Sequence, residues 1–150
     1  MTELTMKERY LALAAKHTPA YVNVIPVEGN SYRGMAHLGQ EDEDGYRVME
    51  APEPDNIAAL WVYLHECQHF RLHGAGLPVE GNNYSRGEAE VNLAVMQILD
   101  QEGMVAPLDV LVEEYEAFRT HVDEDDRNFE RHPLCTECIE EFLRRIAESR

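Results

Sequence analysis

The chain has 150 residues, enough for one domain with a substantial buried core. Its 29 acidic against 13 basic side chains give a formal charge of −16, which repels a phosphate backbone, so direct nucleic-acid binding is not expected. No apolar run approaches the roughly 20 residues that cross a bilayer, and charges interrupt the N-terminus where a signal peptide needs its apolar stretch; a cytosolic protein with no membrane association is expected.

In chain order, Met6, Tyr10, Leu13 and Ala14 recur at helical spacing, so residues 5–16 form a first helix, ended by Thr18-Pro19. Three short strands follow, in YVNVIPV (21–27), SYRGMAHLG (31–39) and GYRVMEA (45–51), the last two a hairpin. Between them lies EDEDG (41–45). Counting Gly45 as the sixth position of a calcium loop puts Gln40 and Ala51 where carboxylates are required, so the segment reads as a solvated turn.

APEPDN (51–56) supplies proline stops and an N-cap at Asp55 or Asn56, and a helix runs from near Ile57 to Gly74, a suitable C′ residue. The connection GAGLPVEGNNYSRG (74–87) leads to a helix from Glu88 to about Glu102. Pro107 opens a further amphipathic helix with Leu108, Leu111, Tyr115, Phe118 and Val122 on one face, and a last helix covers about Thr136 to Glu148. There is no internal repeat, and the architecture is α+β.

The chemistry concentrates in HECQHFRLHG, His65 to Gly74. Residues four apart on a helix lie about 40° apart around the axis and about 6 Å along it, so the imidazoles of His65 and His69 can meet on one ion. Glu66 is rotated by about 100°, placed to reach a water on that ion rather than the ion itself. His73 lies about 12 Å from His65 along the axis and cannot share the ion, and Cys67, rotated by about 200°, points away as a packed thiol. Leu60, Tyr63, Leu64 and Phe70 occupy the remaining directions, so the helix is largely buried, where histidines and a glutamate need partners. A metal is one such partner; a metal-free hydrogen-bonded pair is the alternative.

A zinc site needs a third protein ligand. In RGEAEVNLAVMQIL (86–99), Glu88 projects with Val91, Asn92, Val95 and Leu99, whereas Glu90 projects with Gln97 and Gln101. A carboxylate aimed at the core, one turn from a similarly directed Asn92, makes Glu88 the expected third ligand; a first-turn glutamate stabilised by the helix N-terminus is the plain alternative. His65, His69 and Glu88 would leave a fourth tetrahedral position open for water, the arrangement of a catalytic zinc, with Glu66 as general base passing the proton to a leaving amine.

These two segments together, HECQHFRLHG followed by EAEVNLAV, resemble the ImmA/IrrE family of zinc metallopeptidases, which show H-E-x-x-H-x-x-L-H and then an E-x-E-A-[ND]-type helix. The likeness covers about residues 5–102. It implies a zincin-like α+β core with a small three-stranded sheet packed on the active-site helices, zinc on His65, His69 and a gluzincin-like Glu88, and Glu66 as base. Family members are associated with cleaving regulatory proteins, often DNA-binding repressors, in phages, mobile elements and stress responses. Val91 stands where the family usually has alanine, Ala94 where it has an aromatic residue, and no helix-turn-helix accompanies the domain. The expected organisation is a core over 1–105 and a helical C-terminal extension over 106–150 packed on it as one compact domain.

That extension carries H-x2-C-x2-C in His132, Cys135 and Cys138, before a helix whose N-terminus would favour thiolates. A second, structural zinc, with His121 or Asp123 as nominal fourth ligand, stands beside a redox pair and two packed thiols as readings. The leading function is a zinc endopeptidase acting on a protein partner, in keeping with a surface charge that serves solubility or attracts a basic, DNA-binding regulator. A substrate strand would add to the sheet at Tyr46–Ala51, and Tyr84, Arg86, Tyr115 and His121 are candidates for stabilising an oxyanion. A catalytically silent zinc-fold module that sequesters a regulator is the alternative, and zinc-dependent hydrolysis of a small molecule a third reading.

Overall fold

The structure is a computed structural model that describes residues 3–27, 35–73 and 83–149. Its elements run α1 (Met6–His17), β1 (Val22–Pro26), β2 (Met35–Glu41), β3 (Arg47–Ala51), α2 (Ile57–His73), α3 (Asn83–Gln101), α4 (Leu108–Asp126) and α5 (Pro133–Glu148). The α+β class is therefore as expected, with a small three-stranded sheet. The chain divides into two compact units, Met1–Gly76 and Leu77–Arg150. The helix stop expected at Gly74 and most of the connection 74–87 fall outside the described residues.

In the first unit, α1 begins at a capping box: the Thr5 hydroxyl accepts from the Glu8 N–H at 3.1 Å while Glu8 accepts from the Thr5 N–H at 3.2 Å. The helix packs on α2, and the Thr18 hydroxyl that follows it lies 2.7 Å from the Tyr63 hydroxyl. The expected turn over 41–45 is present. One Asp42 carboxylate oxygen accepts from the N–H groups of Asp44 and Tyr46, at 2.9 and 3.0 Å, and Gly45 sits at φ 86°, a conformation glycine adopts without strain. Those bonds hold the Asp42 carboxyl below its usual range.

The strand order is β1-β3-β2, with β1 parallel and β2 antiparallel to β3. The hairpin of β2 and β3 is as expected, but β3 occupies the centre of the sheet. This corrects the docking edge expected at Tyr46–Ala51: Arg47–Glu50 pairs on both sides and Ala51 with β1, so the strand offers no free edge to an extended peptide. Among the described residues the edges are β1 and β2. Met49 and Ala51 point to the covered face, at 0% and 1% exposure, and α2 packs against β2 and β3.

In the second unit, α3, α4 and α5 pack pairwise around a core of Val91, Val95, Leu99, Phe118, Val122 and Phe142. The Phe118 and Phe142 rings stack with centroids 6.1 Å apart. α3 begins five residues before Glu88, so Glu88 is not in the first turn and the plain account of it as a helix-terminus glutamate does not hold. At the other end, Gly103 at φ 66° closes a Schellman motif, the Met104 N–H reaching the Leu99 carbonyl at 2.9 Å and the Gly103 N–H that of Asp100 at 3.1 Å. Arg145 of α5 clamps Asp100 through two bonds of 2.6 and 2.9 Å. Among the described residues no helix is long and apolar enough to cross a membrane.

Candidate metal centre

α2 starts where Asn56 accepts from the Ala59 N–H at 2.9 Å, a cap that fixes the helix phase from its first turn. Seventeen residues of continuous helix then carry His65 and His69 onto one face. Their Nε2 atoms lie 3.2 Å apart, and the ring centroids 4.9 Å apart at 70°. Two nitrogens bound to zinc at about 2.05 Å with a tetrahedral angle between them are separated by about 3.3 Å, so the two imidazoles already stand at the spacing one ion demands.

His65, His69 and Glu88 form a group that could hold a metal ion: each offers one ligand atom, all within 4.8 Å of one another, with His69 and Glu88 buried and His65 nearly so. Among the described residues this is the one group of three or more histidine, cysteine or acidic side chains with metal-ligand geometry. Two imidazoles and one carboxylate are a donor set suited to zinc, and three protein ligands leave a tetrahedral position for water. Glu66 is 7% exposed, its carboxylate 4.0 Å from His65 Nε2, beside a ligand atom and outside the ligand group.

The neighbours separate as the helical geometry dictates. Cys67 faces the sheet, fully buried, its sulfur 4.0 Å from that of Met49, and burial pushes its thiol up to about 12. The His73 ring lies 5.7 Å from that of His69, beyond the ligand group. On α3, the alternative carboxylate Glu90 is turned outward to Arg86, 3.1 Å away. Asn92 is buried, and its amide donates to the main-chain carbonyl of Glu88 at 3.0 Å, so it braces the backbone beneath the ligand.

The C-terminal motif behaves differently. His132 is the N-cap of α5, its Nδ1 accepting from the Leu134 N–H at 3.0 Å. The Cys135 thiol donates to the Ser85 hydroxyl at 3.4 Å, and Cys138 is fully buried. Burial raises both thiols above their usual range, the opposite of the thiolate stabilisation expected at the helix N-terminus; at Cys135 the bond to Ser85 opposes the rise without reversing it. His132, Cys135 and Cys138 are not brought together as a ligand group.

Of the oxyanion candidates, Tyr84 and His121 stack edge to face at 4.9 Å, Arg86 is engaged with Glu90, and Tyr115 rests against Phe142 with centroids 5.7 Å apart. Polar residues that the sequence reading missed include Gln68, 5% exposed on α2. Glu114 is 4% exposed between Leu111 and Phe118 in α4, Ser85 is 2% exposed, and Asp125 reaches the Ser85 N–H at 3.0 Å. Glu114 was readable, since it falls at three-to-four spacing on the apolar face; the pairing of Ser85 with Asp125, forty residues apart, has no local signal. No protein-family model, curated protein or solved structure matches this chain.

Proposed function

We propose that the chain is a zinc-dependent endopeptidase with a zincin-like core, like the ImmA/IrrE family that its two motifs resemble, hydrolysing a peptide bond in a protein partner. The observation that carries this reading is the meeting of His65, His69 and Glu88 with the carboxylate of Glu66 4.0 Å from a ligand nitrogen. Zinc bound there supplies a Lewis acid that polarises the scissile carbonyl and acidifies a water. With zinc held by His65, His69 and Glu88, Glu66 would be the group that takes a proton from the attacking water and returns it to the departing amine nitrogen as the C–N bond breaks, a role its burial beside His65 suits. His65 and His69, on one rigid helix, hold the ion's position, and Asn92 steadies the turn that presents Glu88.

A substrate in extended form would add to β2 rather than to the central β3, since β2 is an edge that packs against α2. The charge of −16 fits a basic partner, such as a DNA-binding regulator, and gives it an on-rate that falls with salt. The test has two arms. Metal analysis of purified protein is expected to find about one zinc per chain; protein without tightly held metal overturns the reading. Incubation with a proteome-derived peptide library, read as new N-termini by mass spectrometry, is expected to show cleavage by the wild type and none by Glu66→Gln. Zinc bound by both with no cleavage by either identifies a silent module that sequesters its partner instead.

A further inference from the structure

The first turn of α3 is held by residues far away in sequence. The opening N–H groups of a helix have no partner within it, and the one at Ser85 is met by the Asp125 carboxylate at 3.0 Å, delivered from the last turn of α4. The Ser85 side chain is itself buried and receives the Cys135 thiol of α5 at 3.4 Å. Ser85, Glu88 and Asn92 follow at intervals of three and four residues, with exposures of 2%, 6% and 2%, so they form one buried polar file along α3. Its middle member is the carboxylate ligand, and its first member is the point at which α4 and α5 grip the helix.

We propose that Asp125 is a positioning residue for the metal centre: from α4 it caps the first turn of α3 and so fixes the rotation and rise at which the helix presents Glu88. This rests on the zinc-site reading above. A carboxylate at this end is favoured by the helix dipole, and loss of the bond lets the first turn fray toward Glu88, one turn on. Asp125 is not a member of the group His65, His69 and Glu88; its bond is to the main chain at Ser85. Its effect is expected in how well the third ligand is held, not in the proton transfers.

The test measures zinc dissociation constants by chelator competition, and the visible spectrum of the cobalt-loaded protein, for wild type, D125A, D125N and S85A. D125A removes the cap and is expected to weaken zinc about tenfold, within the range for residues that orient ligands from behind. Its cobalt bands should weaken or shift as the carboxylate is held less firmly, while far-ultraviolet circular dichroism shows the helices intact. D125N keeps an acceptor oxygen and should restore both readings. S85A keeps the main-chain N–H and should bind as the wild type does. D125A with unchanged affinity and spectrum, or an equal loss in D125N, would overturn the proposal while leaving the site standing. Wild-type protein that takes up neither metal removes the site and with it this role.

Discussion

Two stretches of this chain carry histidine and cysteine at ligand-like intervals, and the fold treats them in opposite ways. In α2, His65 and His69 stand four apart within continuous helix, and their Nε2 atoms meet at 3.2 Å. In HPLCTEC, His132 lies outside α5 as its cap, while Cys135 and Cys138 inside it turn into the helical core. Both intervals are compatible with an ion on paper. What separates them is convergence: the two α2 imidazoles bring their Nε2 atoms to one point, whereas His132 turns its Nδ1 to the Leu134 N–H outside α5 and the two thiols are raised by burial within it.

The contrast is open to breaking at several points. His65→Ala should abolish zinc retention, from about one ion per chain to none by metal analysis, and peptide cleavage with it. Glu66→Gln should retain zinc and lose about 10²–10⁴-fold in cleavage rate, measured on a peptide recovered from the library. Glu88→Gln should weaken zinc by at least the roughly 10–100-fold seen when a ligand's supporting partner is lost, read by chelator competition.

On the other side, Cys138→Ala should leave the zinc content untouched and cost about 1 kcal/mol of stability, measured by urea unfolding, because it removes a packed sulfur. A fall in zinc content on that substitution would erase the distinction between the two stretches. The smallest effect is on pH dependence. The folded Cys138 thiol is raised by burial, while an unfolded one ionises near about 8.5. Above that pH the unfolded chain binds fewer protons than the native one, so this contribution is complete at neutral pH and is lost as pH rises. The urea midpoint should therefore drop between pH 7 and 10 more steeply for wild type than for Cys138→Ala.

How much could be read in advance followed the range of the forces involved. The five helices and the facing of His65, Glu66, Cys67 and His69 depend on contacts within a turn or two, and helical projection found them. The burial of Glu88, with Glu90 turned to Arg86, was also local, since α3 has a clear apolar stripe and Glu88 lies in it at 6% exposure. The position of β3 at the sheet centre was not, because alternation along a strand says which face is covered but not which strands flank it. The start of α3 was placed five residues late for a similar reason: its first turn is secured by Asp125, and no neighbouring residue announces that. At HPLCTEC the spacing alone left a structural zinc, a redox pair and two packed thiols side by side, since it records ligand types and not where the fold aims them.

The helical packing of the second unit sets how the chain tolerates shortening. α3 carries Ala89, Val91, Val95, Met96, Ile98 and Leu99 as buried side chains, and α4 and α5 are the elements that pack on it. A chain ended near residue 105 would keep every proposed ligand and yet leave that face to water. Such a piece would be driven to associate with itself and would be recovered as aggregate rather than as a minimal peptidase. The last third of the sequence is thus a cover without which the ligand helix has no soluble form, and a search for the smallest active fragment should keep both that cover and the capping box at Thr5 that opens α1.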